Sequence, residues 1–102
     1  MHEPLLQEGG VWIGRKAASK YATLYGAPNA LRLSCFDEYV FPKESIVTLR
    51  KINLLISVGL QIGHTIPLYP RLIVFWVSVG PGGSRFAILR GKLEELGYAV
   101  KD

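Results

Sequence analysis

The chain has 102 residues, 49% hydrophobic and 20% charged, with a net charge of +4. A chain of this length folds around one core and buries about 65% of the surface its unfolded form exposes, so it needs no metal or disulfide staple. This composition excludes a disordered tail, a collagen-like repeat and a coiled coil.

The mean hydropathy of +0.23 is high. Yet the longest unbroken apolar run, Leu72 to Val77, is six residues, against about 20 for a membrane helix. Glu3 and Glu8 mark a start without the basic stretch and apolar core of a secretory signal. A single cysteine, Cys35, cannot close an internal disulfide and fits a reducing compartment. The expectation is one domain over residues 1–102, cytoplasmic, with peripheral membrane contact as an option and residues 1–10 the segment most open to disorder.

In chain order, Gly and Pro recur about every ten residues, which is strand punctuation. Gly9-Gly10 precedes a first short strand at Val11 to Ile13, and Tyr21 to Tyr25 forms a second, closed by Gly26-Ala27-Pro28-Asn29. Leu31, Leu33 and Cys35 alternate with Arg32 and Ser34; Asp37-Glu38 interrupts, and Tyr39 to Phe41 resumes, as in a hairpin about an acidic turn. Between Ile46 and Ile52, Val47 and Leu49 alternate with Thr48 and Arg50, and Leu60, Ile62, His64 and Ile66 share a second half-buried face. Residues 72 to 79 are apolar at both parities, which predicts a central strand covered on both sides or one whose outer face meets a partner. After Gly80-Pro81-Gly82-Gly83 the period changes. Ser84 suits an N-cap, Phe86, Leu89, Leu93 and Leu96 form one helical stripe, and Gly97 followed by Tyr98 suits a glycine C-cap.

The fold class is therefore α+β and mainly β: a bent antiparallel sheet or barrel of about seven strands with one C-terminal α-helix. This order resembles the pleckstrin-homology-like barrel, in particular its short bacterial families. The likeness rests on Leu31 to Ile46 as the third-to-fourth-strand hairpin and its turn. It rests also on Gly59 to Thr65, Pro70 to Trp76 and Leu89 to Val100 as the final strands and helix. The resemblance implies fold more than function, because such barrels carry lipid-binding, protein-binding and assembly roles. It also implies a location for an anion site at the first strand and following loop, where this chain has Arg15, Lys16 and Lys20, with Arg32 further on.

The residues offer little to an enzyme, and no catalytic residue, metal or cofactor is assigned. His64 shares its parity with Leu60, Ile62 and Ile66 and reads as a satisfied interior imidazole. Cys35, on the face of Leu31 and Leu33, reads as a buried inert thiol. Asp37-Glu38 reads as a turn and Glu94-Glu95 as the wet side of a helix. Gly80 to Ser84 lacks the Lys-Ser/Thr ending of a phosphate-binding loop and reads as a tight strand-to-helix connection. Tyrosines interleaved with basic residues would suit single-stranded nucleic acid, but aromatics on strands usually pack, so that partner ranks third.

Acids are unevenly placed. Between Glu8 and Asp37 stand Arg15, Lys16, Lys20 and Arg32 with no acid, and between Glu44 and Glu94 stand six basic residues with none. Two functions compete. The leading one is a non-enzymatic binding or assembly module acting by protein-protein contact, including self-association, because Leu54, Leu55, Ile56 and Val58 put apolar surface where a connection should be polar. The alternative is peripheral binding to anionic lipid or another polyanion through Arg15, Lys16, Lys20 and Arg32.

Overall fold

A period of two sends Leu31 and Leu33 to one side of a strand and Arg32 and Ser34 to the other, and that alternation shapes the strands that make up about half of the chain. The structure, a computed structural model, describes residues 4–14, 17–53, 57–79 and 84–102. They form β1 (Leu5–Ile13), β2 (Ala17–Ala27), β3 (Ala30–Ser34), β4 (Glu38–Pro42), a 3-10 turn (Lys43–Ser45), β5 (Ile46–Asn53), β6 (Ser57–His64), β7 (Ile73–Val79) and α1 (Ser84–Glu95). All seven strands join one antiparallel sheet in the order β4-β3-β2-β1-β7-β6-β5, curled into a half-barrel around its apolar side. The mainly β architecture and the single C-terminal helix match the fold read from the sequence.

Two boundaries differ from that reading. β1 begins at Leu5, so residues 5–10 are strand, and Gly9-Gly10 lie inside it rather than before it. Their role is close approach. A Cβ on Gly9 would lie 2.1 Å from the Trp76 carbonyl oxygen, and one on Gly10 would lie 2.2 Å from Cζ2 of the Trp76 ring. The pair also marks a register shift between Gly9 and Val11, the signature of a bulge that bends the strand. Glu38 opens β4 opposite Ser34 instead of sitting in the turn, which moves to residues 35–37. Ser34 and Arg32 hydrogen-bond its carboxylate and hold its pKa below the ordinary value.

The core lies on the concave side. Leu24, Leu31, Leu33, Phe41, Leu60, Ile62, Ile73 and Phe75 are fully buried there, joined by Phe86, Leu89 and Leu93 from the helix stripe. The helix lies across one end of the sheet. Lys92 Nζ donates to the Leu6 carbonyl at the start of β1, and the Tyr98 hydroxyl donates to Ala27 at the end of β2 (2.8 Å). Burial raises the Tyr98 pKa, which keeps that hydroxyl a donor. The helix ends as its sequence predicts. Gly97 takes φ +96°, Gly97 N–H bonds the Glu94 carbonyl and Tyr98 N–H reaches back to Leu93, a Schellman cap.

An open sheet leaves two edges, β4 and β5, and each is covered by something other than a strand. On β4, the Val40 N–H donates to the Tyr69 hydroxyl (3.0 Å). On β5, Lys51 N–H donates to the Lys101 carbonyl and Lys101 N–H to Leu49, so the C-terminal residues run beside the edge. Between the edges, Tyr39 and Phe41 of β4 meet Tyr69 and His64 in tilted and T-shaped contacts with centroids 5.0–5.9 Å apart. Aromatic side chains thus fill the seam that backbone pairing leaves open.

Candidate interaction surface

With Ile73, Phe75 and Val77 pointing into the core, the intervening residues of β7 face outward. Val74 is nevertheless only 1% exposed and stands outside the core cluster. Registers explain how. Val74 pairs with Trp12 on β1 and Gln61 on β6, and Trp76 pairs with Gly10 and Gly59. Gly59 in turn pairs with Ile52 on β5. A Cβ on Gly59 would lie 3.0 Å from Val74 Cγ1 and 3.5 Å from Ile52 Cγ1, so Val74 and Ile52 converge over that glycine. On the other side, the Trp76 ring occupies the space a side chain on Gly10 would take.

The result is an apolar outer face across β1, β7, β6 and β5, centred on Val74 and built from Trp12, Trp76 and Ile52. Leu72 stands at the head of β7, where its carbonyl accepts from Gly14 N–H. Trp12 and Leu72 remain 43% and 42% exposed. The Trp76 Nε1 is buried without a hydrogen-bond partner. Moving across the strands from Trp12 and Val74, the face passes Gln61 and ends at Arg50, opposite Gln61 on β5. Arg50 is bridged to exposed Lys101 at the sheet edge.

The residues singled out in the sequence fare differently. Arg15, Lys16, Leu54, Leu55 and Ile56 lie outside the described residues, as do Gly80 to Gly83. Lys20 falls in β2, its side chain outside the described ones. Arg32 is committed within the molecule: Nη1 is 2.6 Å from Glu38 Oε1, and the guanidinium stacks 4.0 Å above the Tyr25 ring. Val58 is half-buried on β6 and packs against the core, so it is a packing residue rather than a wet one. Missed as individual site residues were Trp12, Trp76 and Ile52. Their signal was present in the two-sided apolar pattern of residues 72–79, with glycines at the register partners of Trp76.

The groups weighed for chemistry are occupied by structure. His64 is half-buried; Ile66 N–H donates to Nδ1 (3.0 Å), so the ring proton sits on Nε2 and faces the Pro70 carbonyl (2.8 Å). Both ring nitrogens hold the loop between β6 and β7. Cys35 is half-buried rather than buried, because β3 ends at Ser34 and the turn lifts it toward solvent; its thiol faces the Asp37 carbonyl. A hollow of about 280 Å³ beside it is lined by Glu8, Gly9, Tyr21, Ala22, Thr23, Ser34 and Cys35. Among the described residues no group of His, Cys, Asp or Glu is arranged to hold a metal, and no helix is long and apolar enough to cross a membrane. Comparison with protein-family models, curated proteins and solved structures finds no match to this chain.

Proposed function

We propose that this chain is a non-enzymatic docking module, a pleckstrin-homology-like barrel that binds a protein partner through the outer face of β1, β7, β6 and β5. The order of the strands and the closing helix support the barrel assignment. The observation that carries the docking reading is the outer face of β7. Its central residue is sealed by neighbours while Trp12 and Leu72 stay nearly half exposed beside it. Trp enrichment at the centre of a desolvated patch is the usual composition of an interface anchor. Isolated exposed apolar residues need no partner, but a contiguous set from β1, β7 and β5 that closes over the glycine of β6 marks an interaction surface.

Photo-crosslinking tests this. A benzoylphenylalanine placed at Leu72 should give protein adducts in cells, and the same group at Ile88, exposed on the far side of the helix, should give far fewer. Equal or absent adducts at position 72 would sink the docking reading. Where the adduct is the chain itself, light scattering across a dilution series should show a mass above 11.3 kDa.

A further inference from the structure

We infer that the occupant of this face is an acidic segment of another protein, setting apolar side chains against Trp12 and Leu72 and carboxylates against Arg50 and Lys101; this rests on the docking reading. Charge carries the inference. β5, β6 and β7 contain no Asp or Glu, and neither does β1 from Gly9 onward. The face is therefore apolar at its centre and cationic at its β5 margin. Asp102, the carboxylate adjoining that margin, is bound to Arg90 at 2.6 Å. Trp12 and Arg50 stand on strands three spacings apart, about 14 Å at the usual strand separation. Four or five extended residues, or a short helix, bridge that distance.

The same facts argue against other occupants. A second copy would bring cations and no carboxylate from β5, β6, β7 or the Gly9 to Ile13 part of β1, so like charges would oppose its approach. A nucleic acid needs cations tracking its backbone and aromatic faces for its bases. Here the cations lie at one margin, and the centre includes the aliphatic Val74, Ile52 and Leu72. A membrane meets a protruding rim more readily than the convex middle of a sheet.

Selection from a random-peptide display library on the intact chain at low salt provides the test. The enriched pool should carry Asp or Glu beside aliphatic or aromatic anchors. Representative peptides should weaken about tenfold or more with Trp12→Ala and with Arg50→Glu, both variants remaining folded by circular dichroism. Selection on the chain carrying Arg50→Glu and Lys101→Glu should instead favour basic peptides. A neutral or basic pool on the native chain overturns the inference, as does no enrichment, or tighter binding of oligothymidylate or phosphatidylserine vesicles than of any peptide. Should position 72 crosslink to an acid-poor protein or to a second copy, the docking reading stands and the acidic partner falls.

Discussion

Two adjacent glycines decide how closely β1 and β7 approach, and they do so against different obstacles. At Gly9 the obstacle is backbone, the Trp76 carbonyl 2.1 Å from where a Cβ would stand. At Gly10 it is the Trp76 ring, a side chain that can turn away at some loss of burial. Gly9→Ala should therefore cost about 3 kcal/mol or more, since strand pairing must open to admit the methyl group, while Gly10→Ala should cost about 1–2 kcal/mol. Adding Trp76→Ala should remove most of the extra cost at position 10 and little of it at position 9, a coupling that urea unfolding of the double variants measures. Glycines in a sequence announce an exception without saying which kind. Gly9-Gly10 reads naturally as a break before a strand, and only the neighbour across the sheet shows a close approach, of a carbonyl at Gly9 and of an indole at Gly10.

At the scale of elements, legibility followed the period. A strand with one wet face, such as β3, and the helix with its apolar stripe were visible because alternation and the 3.6-residue repeat are local properties; in β5 the register shift between Ile46 and Thr48 turns Val47, expected on the face of Leu49, out to 68% exposure. Leu93 illustrates this. Its spacing from Phe86 and Leu89 predicts burial, and it is 0% exposed in the core. Leu93→Ala should destabilise the fold by about 2–5 kcal/mol, because the helix lies across the end of a curved sheet and cannot settle into the space left. Chemical denaturation would show it, and a loss below about 0.5 kcal/mol would mean the helix packs otherwise. The outer face was harder to see for a physical reason. A run apolar at both parities says that two sides are dry, but it does not say whether a helix, a second sheet or neighbouring side chains dry them. Here Trp12 and Ile52 flank Val74 from strands far apart in sequence, with Trp76 beside it on β7. The basic segment was equally ambiguous, and Arg32 shows why: its partner Glu38 is six residues away, across a hairpin whose register sets the pair.

For the molecule as a whole, the governing problem is a sheet that curls without closing. Seven strands in one ladder must end somewhere, and β5 ends beside a tail only because residues after the helix double back along it. That tail is held at three points: the Lys101 backbone on Leu49 and Lys51, the Arg90 guanidinium on the Val100 carbonyl at 3.0 Å, and the same guanidinium on Asp102. Removing residues 100–102 would strip all three while leaving the helix stripe and the Tyr98 bond to Ala27 in place. The β5 edge would then present its free N–H and C=O groups next to the exposed Val47, which is the arrangement that pairs with other chains. The shortened chain should lose about 1–3 kcal/mol of stability from the lost hydrogen bonds, and, more distinctively, should associate as concentration rises. Light scattering would reveal the association, and hydrogen exchange would place it by new protection along residues 47–53. An added Val47→Lys should suppress it, since a lysine on an edge strand opposes pairing without touching the core. A shortened chain that stays monomeric at high concentration would mean that the twist of β5, and not its covering tail, keeps the edge unpaired.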